Sequence, residues 1–412
     1  MAQAVDGILS VFRRWWSGPS VVFLVGSGAS RAAGVPGVAQ ISATIRSGKI
    51  LHEHTDGRFY LLPTPLASLS GASLEVRRTI FLYRLLAALA RADPRREPNY
   101  EEVYFVARQL LDHELREFEN PALRGLIEDL RRRLAVSGLG VDELGDPVEL
   151  RDALTNLCNY IHDATWRALQ GQFSHAHLQP FAIAVRRLGR KCRAIVTLNH
   201  DELVREALEG ARVPFEDGFD PESTGLSRWR PSRFGNTGLR LIHLHGSLRW
   251  FWTARDGIPE DALVLRRIAT SDIDHVHLAS GELLLLADNR PYISLGTHNK
   301  VTSYFRQPFS ELYAQLTMFL REDSTVRTLV MAGYGGQDKG VNLQISDWMQ
   351  QRHDRRIVLV HPDPPGFVRD ARPHLRSQWA DWEARGRICT ISKRFEEVTA
   401  EELITSVSSY LF

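Results

Sequence analysis

Val21-Val22-Phe23-Leu24-Val25-Gly26-Ser27-Gly28-Ala29-Ser30 is the stretch on which the reading of this chain turns. A continuous apolar, largely β-branched run describes a strand buried on both faces, and the glycines that follow describe a tight turn at its end. Glycines there let the main chain pass close to a diphosphate. The N–H groups opening the next helix add donors at the positive end of its dipole. The continuation Arg31-Ala32-Ala33-Gly34-Val35-Pro36 falls short of the dinucleotide fingerprint, because Arg31 stands where a third glycine would fall. Taken alone, the segment also suits a strand-to-helix turn without a ligand.

Working outward, runs of the same kind recur at Ala194–Leu198, Leu239–Leu244, Thr328–Ala332 and Ile357–Val360, each ending in polar or glycine residues. Short buried strands that end in chemically loaded loops predict an α/β fold, a doubly wound Rossmann-like parallel sheet with ligands beyond its carboxyl edge. Between Leu51 and Leu178 helical periodicity replaces the strand runs, at Leu74–Ala92, Tyr100–Phe118 and Pro121–Leu134. Residues 51–178 are therefore expected to be a helical insertion between the first two core strands. The core itself is expected from about 21–50 and 179–412. Mixed periodicity over 214–299, with a strand-like Glu282–Ala287, predicts a small mixed module within it. No internal repeat or low-complexity tract is visible.

Composition narrows the classes. With 51 Lys+Arg against 49 Asp+Glu in 412 residues, the net charge of +2 selects no polyanionic partner. Lysines are few and the basic side is nearly all arginine, as a GC-rich genome would give. Cys158, Cys192 and Cys389 are too few and too scattered for a disulfide framework or a four-thiolate zinc site. Cys192 reads as a small buried hydrophobe. The opening Met1–Arg14 lacks a secretory pattern and no apolar run can span a bilayer. A cytoplasmic protein without membrane attachment is expected.

Three further motifs follow strands. Thr197-Leu198-Asn199-His200-Asp201 offers an amide and a carboxylate, although Asp201 also suits a helix cap. In His243-Leu244-His245-Gly246-Ser247-Leu248, alternation sets both histidines on one strand face. No third ligand accompanies them, so a single base is favoured over a metal pair. Ala332-Gly333-Tyr334-Gly335-Gly336-Gln337-Asp338 is a second glycine loop. His361-Pro362-Asp363 follows the last strand, as a ribose or adenine contact or as a surface turn. The basic run Arg186-Arg187 with Arg190-Lys191-Arg193 lacks interleaved aromatics and reads as a solvated helix end. Trp15-Trp16 and Trp250-Phe251-Trp252 read as packing or interface clusters.

In this order, GSGAS, TLNHD, HLHGSL and AGYGGQD resemble the sirtuin-like, or silent-information-regulator-like, NAD-consuming family over about Val21 to Val360, and most closely its bacterial antiphage branch. The resemblance implies a hydrolase that cleaves NAD+, as substrate, to nicotinamide and ADP-ribose. It further implies a homo-oligomer gated by a phage signal or by a partner encoded nearby, a helicase/translocase-type ATPase or an Argonaute-like protein. With so balanced a charge, recognition of nucleic acid is expected to be delegated to that partner. Asn199 and His245 would be catalytic, Asn199 orienting water or the nicotinamide ribose and His245 acting as general base near its ordinary pKa. Gly26, Ser27, Gly28, Ala29 and Ser30 would hold the phosphates, Gly333 and Tyr334 the adenosine side. Thr197, Asp201, Asp338 and Asp363 would complete the cofactor contacts, with no metal. Deacylating sirtuins carry an acidic-aromatic-basic triplet where this chain has Val35-Pro36-Gly37-Val38, and a four-cysteine zinc module that it lacks. A non-catalytic sensor of NAD or ADP-ribose is therefore the alternative, and an NAD-dependent protein deacylase the third expectation.

Overall fold

The structure is a computed structural model that describes residues 18–49, 51–91, 97–117, 120–142, 144–221, 225–235, 238–254, 263–269, 277, 283–295 and 304–408. Trp15, Trp16 and Glu282 lie outside the described residues. With elements numbered in chain order, one fully parallel sheet contains β1 (Ser20–Val25), β4 (Cys192–Thr197), β6 (Arg240–His243), β9 (Val326–Ala332), β10 (Arg356–Val360) and β11 (Ile388–Ile391), in the order β11-β10-β9-β1-β4-β6. The chain enters at the centre, moves to one side through β4 and β6, then to the other through β9, β10 and β11. This is the doubly wound α/β arrangement. Its direction changes beside β1, where such sheets open a crevice at their carboxyl edge.

The chain divides into two compact units. One consists chiefly of Pro36–Gly171, between β1 and β4 in sequence. It holds α1 (Val38–Ser47), the hairpin of β2 (Leu51–Glu53) and β3 (Phe59–Leu61), α2 (Leu74–Ala90), α3 (Tyr100–Glu114), α4 (Arg124–Val136) and α5 (Leu150–Leu169). Caps set the helix starts: Ser73 Oγ accepts from the Val76 amide, and Asn99 and Glu102 exchange bonds of 3.0 and 2.8 Å in a capping box. Within this unit the buried Asp163 of α5 accepts from the Phe59 amide at 3.0 Å, and Tyr160 donates to the Ile45 carbonyl at 3.0 Å. These bonds tie the hairpin and α1 to the longest helix. Neither α5 nor the hairpin stood out from the sequence pattern.

The other unit carries the sheet with α6 (Gln179–Leu188), α7 (Leu203–Gly210), α8 (Phe309–Thr317), α9 (Lys339–Gln351), α10 (Pro364–Asp370), α11 (Pro373–Ala384) and α12 (Ala400–Ser408). Alternation in β1 serves both faces of the sheet. Val22 and Leu24 share a core with Leu312 of α8, Ile345 and Trp348 of α9 and Trp379 of α11. Phe23 faces the other way and meets Phe181 of α6 edge-on at 5.3 Å. The C-terminal end of α9 is closed by arginines. Arg355 donates to the Trp348 carbonyl at 2.6 Å and Arg387 to the Arg352 carbonyl at 2.8 Å, in place of a glycine cap. A separate antiparallel sheet, in the order β5-β8-β7, joins β5 (Leu226–Arg228), β8 (Leu263–Ile268) and β7 (Trp250–Ala254). The strand expected at 282–287 is reduced among the described residues to single bridges at Leu283 and Leu286. Trp250 and Phe251 are buried in β7, as packing residues.

At the carboxyl edge the two glycine loops interlock. The Gly26 amide donates to the Ala332 carbonyl and the Gly28 amide to the Gly333 carbonyl, both at 2.9 Å. A β-carbon on Gly26 would lie 2.6 Å from the Gly333 carbonyl oxygen, and one on Gly28 would lie 2.8 Å from the Gly333 Cα. Gly333 itself has φ +63°, and a β-carbon there would lie 2.3 Å from the Ala29 nitrogen. All three positions thus require glycine through backbone contact. We expect Gly333→Ala to destabilise the fold by about 2 kcal/mol or more, through overpacking against backbone and left-handed strain. Gly335→Ala, with open space around it, should stay within about 0.5 kcal/mol of wild type. Urea unfolding of the pair checks this; equal midpoints would refute it.

Candidate functional site

The interlock spends the Gly28 amide on Gly333, so it is not free for a phosphate in this arrangement. Beyond β1 the chain forms a short 3-10 turn over Ser27–Ala33, where the sequence suggested the opening of a helix. The turn exposes Ser27 and buries Ala29 and Ser30. His177, which no motif contained, steadies the turn by donating from Nε2 to the Ala29 carbonyl at 2.7 Å.

Ser30 faces the end of β4. Asn199 is 4% exposed; its Nδ2 donates to Ser30 Oγ at 2.9 Å, and its amide bonds Thr197 Oγ1 at 3.2 Å. Asn199 Oδ1, though buried, has no hydrogen-bond partner among the described residues. An acceptor left bare in this way costs about 1–3 kcal/mol, which a bound donor would recover. Asp201 is buried behind Ser30, bonded to its side chain and to the Leu203 amide at 3.2 Å. Burial pushes the Asp201 carboxyl up to about 6, against the opposing bond from Ser30. Amide, hydroxyl and carboxyl therefore form a buried chain with an open acceptor at one end and a proton acceptor at the other.

The histidines part company. β6 ends at His243, and His245 lies in the following turn with Gly246 at φ +79°, so strand alternation does not extend to it. His243 packs near Trp250, with ring centroids 5.9 Å apart. Burial lowers the pKa of its imidazole, and both ring nitrogens are buried without hydrogen-bond partners among the described residues. Glu202, Arg205, Asp217 and Arg267 form a largely buried ionic network in the same unit, and Ser247 bonds Glu202. His245 instead donates Nδ1–H to the Leu198 carbonyl at 3.1 Å, and its Nε2 lies 2.9 Å from Asp338 Oδ2 and 3.2 Å from the Tyr304 hydroxyl.

A carbonyl only accepts, so Nδ1 carries a proton. One further proton lies between Nε2 and Asp338, and the lone pair of Nε2 is engaged whichever atom holds it. His245 is thus half of a buried pair in this state, not the solitary base that the motif suggested. Asp338 also accepts from the Val341 amide at 2.9 Å and caps α9. The Tyr334 side chain turns inward, its hydroxyl bonding Asn342 Oδ1 at 2.7 Å and the Asp338 amide at 3.1 Å. Asp363 is exposed and caps α10 through the Gly366 amide at 3.0 Å. Neither side chain hydrogen-bonds Asn199, Ser30 or Asp201 among the described residues. Tyr304 was missed because its surroundings, Ser303-Tyr304-Phe305-Arg306, carry no periodic or motif signal. Among the described residues no group of histidine, cysteine and carboxylate side chains converges as a metal site. None of their helices is long and apolar enough to cross a membrane.

Fold and site together define a doubly wound α/β protein whose polar groups gather at the sheet's carboxyl edge. Residues 193–385 match the family model of a SIR2-like domain. That span takes in Asn199, His245 and Asp338, while the first glycine loop lies outside it and reaches it through Gly333. No curated protein matches the chain. Similar solved structures include a mutant Sir2 homologue in complex with ADP-ribose, 14% identical over 95% of this chain and 92% of that one, with a TM-score of 0.37. A Sir2 homolog–NAD complex is 15% identical over 95% and 90%, also at 0.37. Sir2Tm bound to a propionylated peptide is 11% identical over 97% and 98%, at 0.35.

The Asp201 carboxyl has a testable cost. Its value of about 6 in the folded protein exceeds the ordinary 3.8. The unfolded chain therefore releases this proton first, and folding is penalised increasingly from about pH 4 to pH 6, fully so above that. The gap corresponds to about 3 kcal/mol. We expect Asp201→Asn to raise the melting temperature relative to wild type at pH 7 and to gain little at pH 4. A gain independent of pH would refute the raised value.

Proposed function

We propose that this chain is an NAD+ glycohydrolase, releasing nicotinamide and ADP-ribose, and that it serves bacterial antiphage defence under the control of a partner or phage signal. The observation that carries the reading is the buried, unpartnered Asn199 Oδ1 joined through Ser30 to Asp201. In the reaction the bond between the nicotinamide nitrogen and ribose C1′ breaks, the electron pair stays on nitrogen, and nicotinamide leaves neutral. Water oxygen bonds C1′. Asn199 Oδ1 accepts one hydrogen of that water and aims it. Ser30 Oγ, which already accepts from Asn199, takes the departing proton as it passes its own to Asp201. A carboxyl with a pKa of about 6 is mostly ionised at neutral pH and close enough to it to be an effective base. His245 meets the sugar hydroxyls on the Asp338 side. An assembly of several copies, with a neighbouring ATPase or Argonaute-like protein as trigger, is part of the same proposal, since an ungated NADase would harm its own cell.

A sensor without turnover is the second reading, favoured by one observation: the Nε2 of His245 is occupied. A SIR2-like domain also suits a protein deacylase. Three cysteines cannot supply the four-thiolate zinc module of deacylating sirtuins. Purified protein incubated with NAD+, alone and with the protein encoded beside it, should release nicotinamide and ADP-ribose in equal amounts. Asn199→Ala and Asp201→Ala should each lower the rate about 100-fold or more. Binding without turnover in both incubations would favour the sensor, consumption only with an acyl-lysine peptide the deacylase, and undiminished rates in both variants would remove the site.

A further inference from the structure

The group facing His245 has no role in the chemistry above. Tyr304, in the same unit, is 6% exposed, and its hydroxyl lies 3.2 Å from His245 Nε2 and 3.2 Å from Asp338 Oδ2, which are themselves 2.9 Å apart. These three polar atoms form a nearly equilateral triangle. Its ring stacks on Tyr313, with centroids 4.3 Å apart and planes inclined at 17°. The ring passes so close to Gly340 that a β-carbon there would lie 2.6 Å from Tyr304 Cε2. Gly340 is thus small at the point where the tyrosine reaches the His245 pair.

We propose that the Tyr304 hydroxyl is an internal stand-in for a substrate hydroxyl, holding the place between His245 and Asp338 that a sugar hydroxyl takes when NAD+ or ADP-ribose binds. The inference rests on the reading of this site as one for NAD+. The hydrogen bonds supply the argument. Asp338 Oδ2 accepts from the tyrosine and faces Nε2, Oδ1 is engaged by the Val341 amide, and Nδ1 of His245 is committed to Leu198. A sugar hydroxyl can approach Nε2 only by replacing one of the groups already there. The carboxylate is fixed as the cap of α9 and makes the shorter contact. The phenol, by contrast, contributes a single hydroxyl at 3.2 Å from each partner, and a sugar hydroxyl can reproduce both of its bonds, donating to Asp338 and meeting Nε2. Tyr304 is therefore the group that yields. Until it does, the imidazole is sheltered from water and from substrate, and each binding event must overcome the tyrosine's two bonds. Tyr304 acts through His245 and Asp338 and is a positioning residue.

Tyr304→Phe removes the competing hydroxyl and keeps the ring that stacks on Tyr313. Titrating ADP-ribose into the full-length protein by calorimetry should show the variant binding about fivefold more tightly than wild type, the worth of one net hydrogen bond. In turnover, KM for NAD+ should fall by a similar factor. A structural role alone would weaken binding or leave it unchanged. Wild-type binding with equal or weaker binding by the variant, at a melting temperature within a degree or two of wild type, would overturn the stand-in while leaving the NAD+ reading intact. No binding by either protein would overturn both. Should the variant lose its fold, Tyr304→Trp, which keeps an aromatic ring but no hydroxyl, is read by the same criterion.

Discussion

Everything at the working edge of this protein depends on main chain touching main chain. The loops after β1 and β9 approach so closely that Gly26, Gly28 and Gly333 leave no room for side chains, and two hydrogen bonds of 2.9 Å fasten them. This contact fixes the 3-10 turn that carries Ser30 relative to the loop that leads to Asp338. Ser30 in turn holds Asn199 and Asp201 at the end of β4. A phosphate-binding loop and a loop-locking loop use the same residue type for the same reason, namely close approach of backbone. Here the first partner that glycine admits is another strand-end loop.

The site trades stability for readiness in two places. Asp201 is kept out of water with its carboxyl raised to about 6, and Asn199 Oδ1 is kept out of water with nothing to accept from. Both are unfavourable in the free protein, and a hydrogen-bond donor placed at Asn199 Oδ1 would relieve the second. Such costs are offset by the burial of the surrounding sheet: Thr197, Ile195 and Val196 of β4 have no exposed surface at all. The His245 pair follows the opposite policy, being fully satisfied by Asp338, Tyr304 and Leu198.

Much of the fold was legible because both faces of its central strands are covered, which produces unbroken apolar runs at Val21–Val25, Ala194–Leu198 and Ile357–Val360. β11 escaped notice since Ile388–Ile391 is a short edge strand with only partial burial and no run to speak of. The β2–β3 hairpin was hidden inside a helical texture, its strands too short to show alternation. At the site, types and order pointed to Asn199, Asp201 and His245, because polar residues directly after a buried strand stand out. Partnership was not legible. That Asp338 would meet His245, that Tyr304 would join them, and that Tyr334 would fold inward depend on loop paths that no spacing rule encodes. The expected strand pairing of His243 with His245 failed because a left-handed glycine turns the chain one residue after His245.

The placement of β1 has a further consequence, for the order in which the protein can be made. Its first strand is the middle of the sheet, and its contacts on one side reach residues 305 positions later, as in the Ser20–Thr325 bond. At roughly 5–20 residues per second, β1 waits about 15–60 seconds after emerging before its β9 neighbour exists. During that interval a strand that is apolar from Val21 to Val25 has one edge unpaired. Folding dominated by such distant pairings is slow and prone to side reactions. The arrangement that puts β1 between β4 and β9 in the finished sheet therefore also leaves β1 in need of shielding on the nascent chain until β9 has been made.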